Sequence, residues 1–362
     1  MSKPRLRDLA IYVGSLPTGK HNAITDVPGV LVGQTTLIAD EPCIARTGVT
    51  AIYPRADIHL DFAFAAYHSF NGIGEMTGLP FIEETGLLTS PVVLTNTNQV
   101  GLAYDCVVRY GAGKYGRGFH YKLPVVAETY DGWLNAIDAF PLQAEHIYAA
   151  LESAGDGPVA EGNSGGGTGM ICYDFKGGTG TASRRVEIDG QTYTIGALVQ
   201  ANQGDREHLQ VNGAPIGRVI GKEIVPLPWP AAPATSSIII ILATDAPLLP
   251  NQCRRLAQRG TVGLARTGGF GLDGSGDIFL AFSTGCHFEP RSDGLKPLQI
   301  LSPFSMDPLV VGAAEAVEEA ILNALVAAET MTGYEGHTAY ALPHEKLVEV
   351  VRYGSNPKYP LE

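Results

Sequence analysis

The chain has 362 residues, 45% of them hydrophobic and 17% charged, with a formal net charge of −12. That length supplies the core of one large domain or two small ones, and an acidic balance with no basic stretch longer than Arg184-Arg185 or Arg254-Arg255 excludes nucleic acid as a natural partner. No apolar run reaches a membrane span, and the basic start Met1-Ser2-Lys3-Pro4-Arg5-Leu6-Arg7 precedes neither a continuous apolar segment nor a small-residue cleavage site, so a cytoplasmic protein is expected.

Glycine (44) and proline (24) punctuate the sequence throughout, which favours short elements over long ones. Short strands are predicted over 29–33, 49–53, 91–95, 124–128 and 195–201. Helices are predicted over 100–110, where Leu102, Cys106 and Val107 share a face, and over 144–153. The most apolar stretch follows: Ser237-Ile238-Ile239-Ile240-Ile241-Leu242-Ala243-Thr244-Asp245. Four consecutive isoleucines read as a strand buried on both faces. Asp245-Ala246-Pro247-Leu248 is a helix-entry signal, and the helix is expected over 252–266. A later strand ends at the turn Ser283-Thr284-Gly285. An alanine-rich helix covers 308–330, with Leu309, Ala313, Ala316, Val317, Ala320, Leu325 and Ala328 at helical spacing, and a short helix covers 343–352. Strands and helices mix without a strict βαβ alternation. That predicts a layered α+β fold in a single domain, residues 1–362.

Metal and cofactor chemistry find little support. Cys43, Cys106, Cys172, Cys253 and Cys286 are scattered, with no C-x-x-C pair for a disulfide framework or a zinc ribbon. The nine histidines have no H-E-x-x-H spacing. The glycine-rich stretches 161–169 and 176–180 match neither G-x-x-x-x-G-K-[ST] nor G-x-G-x-x-G in a strand–helix context. They read as close backbone approach around a compact site. No metal and no cofactor are expected.

Four segments carry candidate chemistry. Ser237 stands at the mouth of the isoleucine strand, where a hydroxyl is held with little freedom to lose. If the chain were cut before it, its own α-amine, with an unperturbed pKa of roughly 7.7–8, would become an adjacent base. Downstream, a glycine-dense turn delivers Ser275 and Asp277 at i, i+2, which face one side of an extended backbone. They form either a hydroxyl relay backed by a carboxylate or a turn whose side chains bond local backbone. Asn202 ends an apolar strand. It is either an oxyanion donor or a strand-end turn former. Glu128 and Tyr130 close the strand 124–128 in the same phase: a carboxylate for a substrate ammonium and a phenol for an oxyanion, or a polar turn.

Taken together, the sequence resembles the L-aminopeptidase/D-esterase family that includes the β-peptidyl aminopeptidases. The landmarks run in order across nearly the whole chain: Asn22-Ala-Ile-Thr-Asp-Val-Pro-Gly-Val30, Phe70-Asn-Gly-Ile-Gly-Glu-Met-Thr-Gly78, Thr95-Asn-Thr97, Val125-Val-Ala-Glu-Thr-Tyr-Asp-Gly132, Gly162-Asn-Ser-Gly-Gly-Gly-Thr-Gly169, Val199-Gln-Ala-Asn202 and Ala243-Thr-Asp-Ala-Pro-Leu248. The resemblance implies a four-layer αββα sandwich, similar to N-terminal-nucleophile hydrolases but differently connected. It implies self-cleavage between Ser236 and Ser237 into fragments 1–236 and 237–362, with Ser237 as nucleophile. It assigns the serine–acid pair to Ser275 and Asp277, the oxyanion groups to Asn202 and Tyr130, and the amine anchor to Glu128. The implied substrates are short peptides, amino-acid amides or esters with a free amine, and the implied assembly is a homo-oligomer, a tetramer of processed fragments.

Two positions depart from the family pattern. Ser236 stands where the family carries Gly. If the scissile bond needs unusual backbone angles, Ser reaches them at a cost of about 1–3 kcal/mol, and cleavage is slow or absent. Asp277 stands where some β-peptide-cleaving members carry Glu, which bears on β-peptide preference. Two rival readings follow: an ornithine-acetyltransferase-like acyltransferase, although that group uses Thr as nucleophile, and an uncleaved, non-catalytic binding protein.

Overall fold

The computed structural model describes residues 3–116, 118, 121, 123–229, 236–287 and 294–353. In chain order the strands and α-helices are β1 (Leu31–Ala39), β2 (Ala45–Tyr53), β3 (Ala63–Gly72), α1 (Leu79–Thr85), β4 (Leu87–Leu88), β5 (Val92–Asn96), α2 (Val100–Tyr115), β6 (Val125–Thr129), α3 (Ala144–Glu152), β7 (Ile171–Cys172), β8 (Phe175–Lys176), β9 (Gly178–Ile188), β10 (Gln191–Asn202), α4 (Ile216–Val219), β11 (Ser236–Thr244), α5 (Pro250–Arg266), β12 (Ser275–Ser283), α6 (Asp307–Val326), β13 (Met331–Thr332), β14 (Thr338–Ala339) and α7 (His344–Tyr353). A four-stranded sheet has the order β1-β2-β5-β6, and a six-stranded sheet the order β4-β3-β12-β11-β10-β9. Helices α2 and α3 pack on the smaller sheet, and α5 and α6 on the larger. The mixed architecture matches the expected αββα layering.

The isoleucine run shows why the layers hold together. As the strand alternates, Ile238 and Ile240 join the core shared with Phe279, Leu256 and Val317 under α5 and α6. Ile239 and Ile241 join the second core, with Ala51, Leu94, Val126 and Ile278 between the sheets. Burying each isoleucine is worth roughly 1.5–3 kcal/mol, so β11 is locked from both sides. Its central position follows, antiparallel to β10 and parallel to β12.

Besides the two-residue strands, two long strands were not legible in the sequence, for a reason visible in their side chains. β9 begins Gly-Thr-Gly-Thr-Ala-Ser and β3 contains Ala-Tyr-His-Ser. Small and polar residues hide the alternation, although both strands pair along their length. The glycine-rich stretches act as expected of close backbone approach. A Cβ at Gly166 would lie 2.8 Å from the Leu94 carbonyl oxygen and 2.1 Å from Gln200 Oε1, so only glycine lets this turn press onto the sheets.

The N-terminal segment is fastened to α6 by buried charge. Arg184 is fully buried and pairs with Glu315 at 2.9 Å and with Glu319 at 2.7 Å. Arg7 reaches Glu319 through two nitrogens at 2.7 and 2.8 Å, and the Asn22 amide donates to Glu319 at 2.6 Å. No helix among the described residues is long and apolar enough to cross a membrane.

Candidate active site

At one end of the six-stranded sheet the candidate residues divide between its two faces. Ser237 pairs in register with Asn202 of β10 and Gly276 of β12, while Ser236 pairs with Ser275 and Ile238 with Asp277. Strand alternation therefore turns Ser237 and Asn202 toward the smaller sheet. It turns Ser236, Ser275 and Asp277 toward the helices α5 and α6.

On the inter-sheet face, Ser237 is buried. Its hydroxyl donates to the carbonyl oxygen of Ser236 at 2.6 Å and accepts from the Gly276 amide at 3.3 Å. The nucleophile candidate thus rests against the peptide unit that precedes it. Glu128, at the end of β6, is also buried. One carboxylate oxygen accepts from the Glu75 amide at 3.0 Å and the other from the Thr97 hydroxyl. A Cβ at Gly74 would sit 3.1 Å from Gly276 Cα and 3.3 Å from Glu128 Oε1, so the absent side chain is what lets the carboxylate approach the strand beside Ser237. Burial pushes the Glu128 carboxyl up from its ordinary value, against the Thr97 and Glu75 hydrogen bonds. A cation placed beside it would favour the charged form.

The Asn202 side chain is fixed at both ends: its oxygen accepts from the Ile171 amide at 2.8 Å, and its nitrogen donates to the Tyr130 carbonyl at 3.1 Å. The second N–H of that amide remains to donate elsewhere. Tyr130 lies just past the end of β6 and is 41% exposed, its ring folded over Gly132. Burial, with help from Asp138 and Asp131, raises its phenol above the ordinary value, so it stays a donor at neutral pH. Gln200 ties the sheets together beneath this site, donating to the Thr95 carbonyl at 2.9 Å and the Thr129 hydroxyl at 2.8 Å.

On the helix-side face, the Ser275 hydroxyl donates to Asp277 Oδ1 at 2.7 Å. Burial raises the Asp277 carboxyl to about 6, opposed by the Ser275 hydroxyl and the Ile238 amide. This pair therefore lies beside the backbone of β11 on the face opposite the Ser237 hydroxyl. Ser236 lies on the same face, and its hydroxyl accepts from the Gly204 amide at 3.2 Å. Ser236 is extended, in β11, and is not among the residues at positive φ. The strain anticipated for a serine in place of glycine is absent from the uncleaved strand.

The structure thus joins Ser275 to Asp277, sets Ser237 near Glu128, and links Asn202 to the backbone rather than the hydroxyl of Tyr130. Sequence reasoning missed Thr97, Gly74, Gln200 and the buried Asp131, whose carboxyl burial raises to about 7. All four lie inside the landmark stretches, Gln200 two residues before Asn202 and Asp131 beside Tyr130, but each meets partners from other segments that no local spacing assigns. Among the described residues no group of three or more His, Cys, Asp or Glu is placed to hold a metal ion, and all five cysteines are unpaired.

The chain is similar in sequence and fold to known proteins. The profile of peptidase family S58 matches residues 22–339. The β-peptidyl aminopeptidase BapA of Sphingosinicella microcystinivorans is 44% identical over 366 residues, covering 96% of this chain and 92% of its own. The solved β-aminopeptidase of a Burkholderia species superposes with a TM-score of 0.90 at 48% identity, over 96% of this chain and 98% of its own. The L-aminopeptidase D-Ala-esterase/amidase of Ochrobactrum anthropi, described as a prototype serine aminopeptidase and a new variant among the Ntn hydrolase fold, superposes with a TM-score of 0.89 at 44% identity, over 98% and 99%. With a matched profile over most of its length and close relatives over nearly all of it, the chain belongs to peptidase family S58 and is a hydrolase of the serine aminopeptidase type.

Proposed function

We propose that the chain cleaves itself between Ser236 and Ser237 and then releases N-terminal residues from short peptides, amino-acid amides or esters through the freed Ser237. The observation that carries this reading is the 2.6 Å contact between the Ser237 hydroxyl and the Ser236 carbonyl. In self-cleavage, Ser237 Oγ bonds to the Ser236 carbonyl carbon and the Ser236–Ser237 C–N bond breaks, leaving an ester and an α-amine. Water hydrolyses the ester, giving a carboxylate on Ser236 and a free hydroxyl on Ser237. During turnover the hydroxyl attacks the substrate carbonyl and its proton passes to the α-amine, then to the leaving amine. Water hydrolyses the acyl-enzyme. Glu128 holds the substrate ammonium, the Asn202 amide and the Tyr130 hydroxyl receive the oxyanion, and Ser275 with Asp277 holds the α-amine.

The relatives' names make β-amino residues candidates alongside L-residues at the substrate N-terminus. The paired fragments are proposed to assemble as a tetramer, with the exposed side chains of Leu295, Leu298, Ile300 and Phe304 as surface for a second copy. Ser237→Ala is the decisive variant. A denaturing gel is expected to show two fragments for the parent, the second beginning with Ser, and one band for the variant. Hydrolysis of amino-acid amides is expected to fall by at least about 10⁴-fold. Wild-type turnover by the variant would end this reading.

A further inference from the structure

Behind the sheet, on the face shared by Ser236, Ser275 and Asp277, lies a cavity of about 30 Å³, also lined by Gln203, Gly204 and His208. Roughly 10–15 Å³ of such space suffices for one water, which needs two to four polar partners. The walls offer that number. Asp277 Oδ1 is taken by Ser275 and the Ile238 amide also acts on the carboxylate, but among the described residues Oδ2 is buried without a partner at hydrogen-bonding geometry. Gln203 lies against the Cys172 thiol and the Tyr173 hydroxyl, yet among the described residues neither its amide oxygen nor its nitrogen has a partner at hydrogen-bonding geometry. Its residue is 4% exposed. The Ser236 hydroxyl accepts from Gly204 and keeps a proton to donate. Leaving a buried ionisable oxygen and a whole amide unsatisfied is costly, and Asp277, Gln203 and Ser236 all line this one water-sized space.

We infer that this cavity is a built water site and that Gln203 is a positioning residue, acting through the bound water on the free oxygen of Asp277. In the uncleaved chain Ser236 is the third partner. The water donates to Asp277 Oδ2 and takes a hydrogen bond from the Gln203 amide nitrogen. It thereby fixes the carboxylate plane against Ser275 and favours the charged form. The neutral Tyr173 hydroxyl faces the same region, bonded to Thr267 at 2.8 Å. Asp205 and His208 line the cavity from the segment after β10. His68 of β3 shares the sheet face, paired with Phe279. None of these charges figures among the causes that set the Asp277 carboxyl.

The inference rests on the proposed role of Asp277 but is tested without turnover. In the full-length Ser237→Ala chain, a high-resolution crystal structure should show a water within hydrogen-bonding distance of both Asp277 Oδ2 and the Gln203 amide. Adding Gln203→Met, which keeps the shape and removes the hydrogen bonds, should remove that water. It should also move the carboxyl titration of Asp277, followed by carbon NMR, up by about one pH unit. Gln203→Asn, if the Met variant fails to fold, should shift it by less. In the processed enzyme, Gln203→Met should lower kcat at least ten-fold with KM unchanged. A cavity without water density, or an Asp277 titration that superimposes on the parent, overturns the inference. If wild type neither cleaves nor hydrolyses while the water and the titration shift are present, the proposed function fails and the water site stands.

Discussion

Replacing Glu319 by Gln keeps the shape of the side chain and removes one charge from the network that joins α6 to the N-terminal segment. Glu319 receives Arg7, Arg184 and Asn22, and both Glu319 and Arg184 are fully buried. Burial by itself would raise the Glu319 carboxyl. The Arg7 hydrogen bond, the charges of Arg184 and Arg7, and the Asn22 hydrogen bond outweigh it and leave the group below its ordinary value. Removing one partner of a buried pair strands the others and costs about 3–5 kcal/mol. At about 2.1 cal/mol/K per residue, a chain of this length melts with an entropy near 0.8 kcal/mol/K, so Tm should fall by about 4–7 °C. The sign with pH follows from the lowered carboxyl. The contribution is fully present above the ordinary value of 4.5 and disappears as pH falls through the folded value. Calorimetry at pH 7 and in acid is therefore expected to show a gap between parent and Glu319→Gln that closes at low pH. A gap under about 1 °C at pH 7, or one that widens in acid, would refute the reasoning. Because Glu319 lies after residue 237 and its partners before it, the same variant should also release the two fragments at lower urea once the chain is processed.

Two further outcomes follow from the site. Asp277 is held near 6 chiefly by burial, so the folded state binds its proton more tightly than the unfolded one and is weakened as pH rises from the ordinary 3.8 through 6. Asp277→Asn should therefore stabilise the fold at neutral pH, by something on the order of 2–3 kcal/mol, while lowering kcat by about 10²–10⁴-fold. A variant that loses both stability and activity would mark Asp277 as a structural group. Glu128→Gln should lower kcat/KM by about 100-fold for substrates with a free amine and leave substrates with a blocked amine, however poor, unaffected. Equal losses on both, in steady-state kinetics, would remove the amine-anchoring role.

The order of chemistry-bearing segments was readable because each sits at the end of an apolar strand, and apolar periodicity is a local property. The strand carrying Ser237, the i, i+2 phase of Ser275 and Asp277, and the helix built on Leu309, Ala313 and Ala316 all follow from side-chain spacing. β3 and β9 were not readable, since their small and polar residues acquire a buried role only when α5 and α6 cover them. The division of the site between two sheet faces was likewise hidden. It depends on the register that sets Ser236 beside Ser275 and Ser237 beside Gly276, and register is fixed by partners from distant segments. Local spacing was enough to place a serine at the mouth of a doubly buried strand and a serine–acid pair downstream. Tertiary packing alone brings Glu128 toward Gly276 beside Ser237, and strand register places the serine–acid pair on the opposite face of the sheet from the Ser237 hydroxyl.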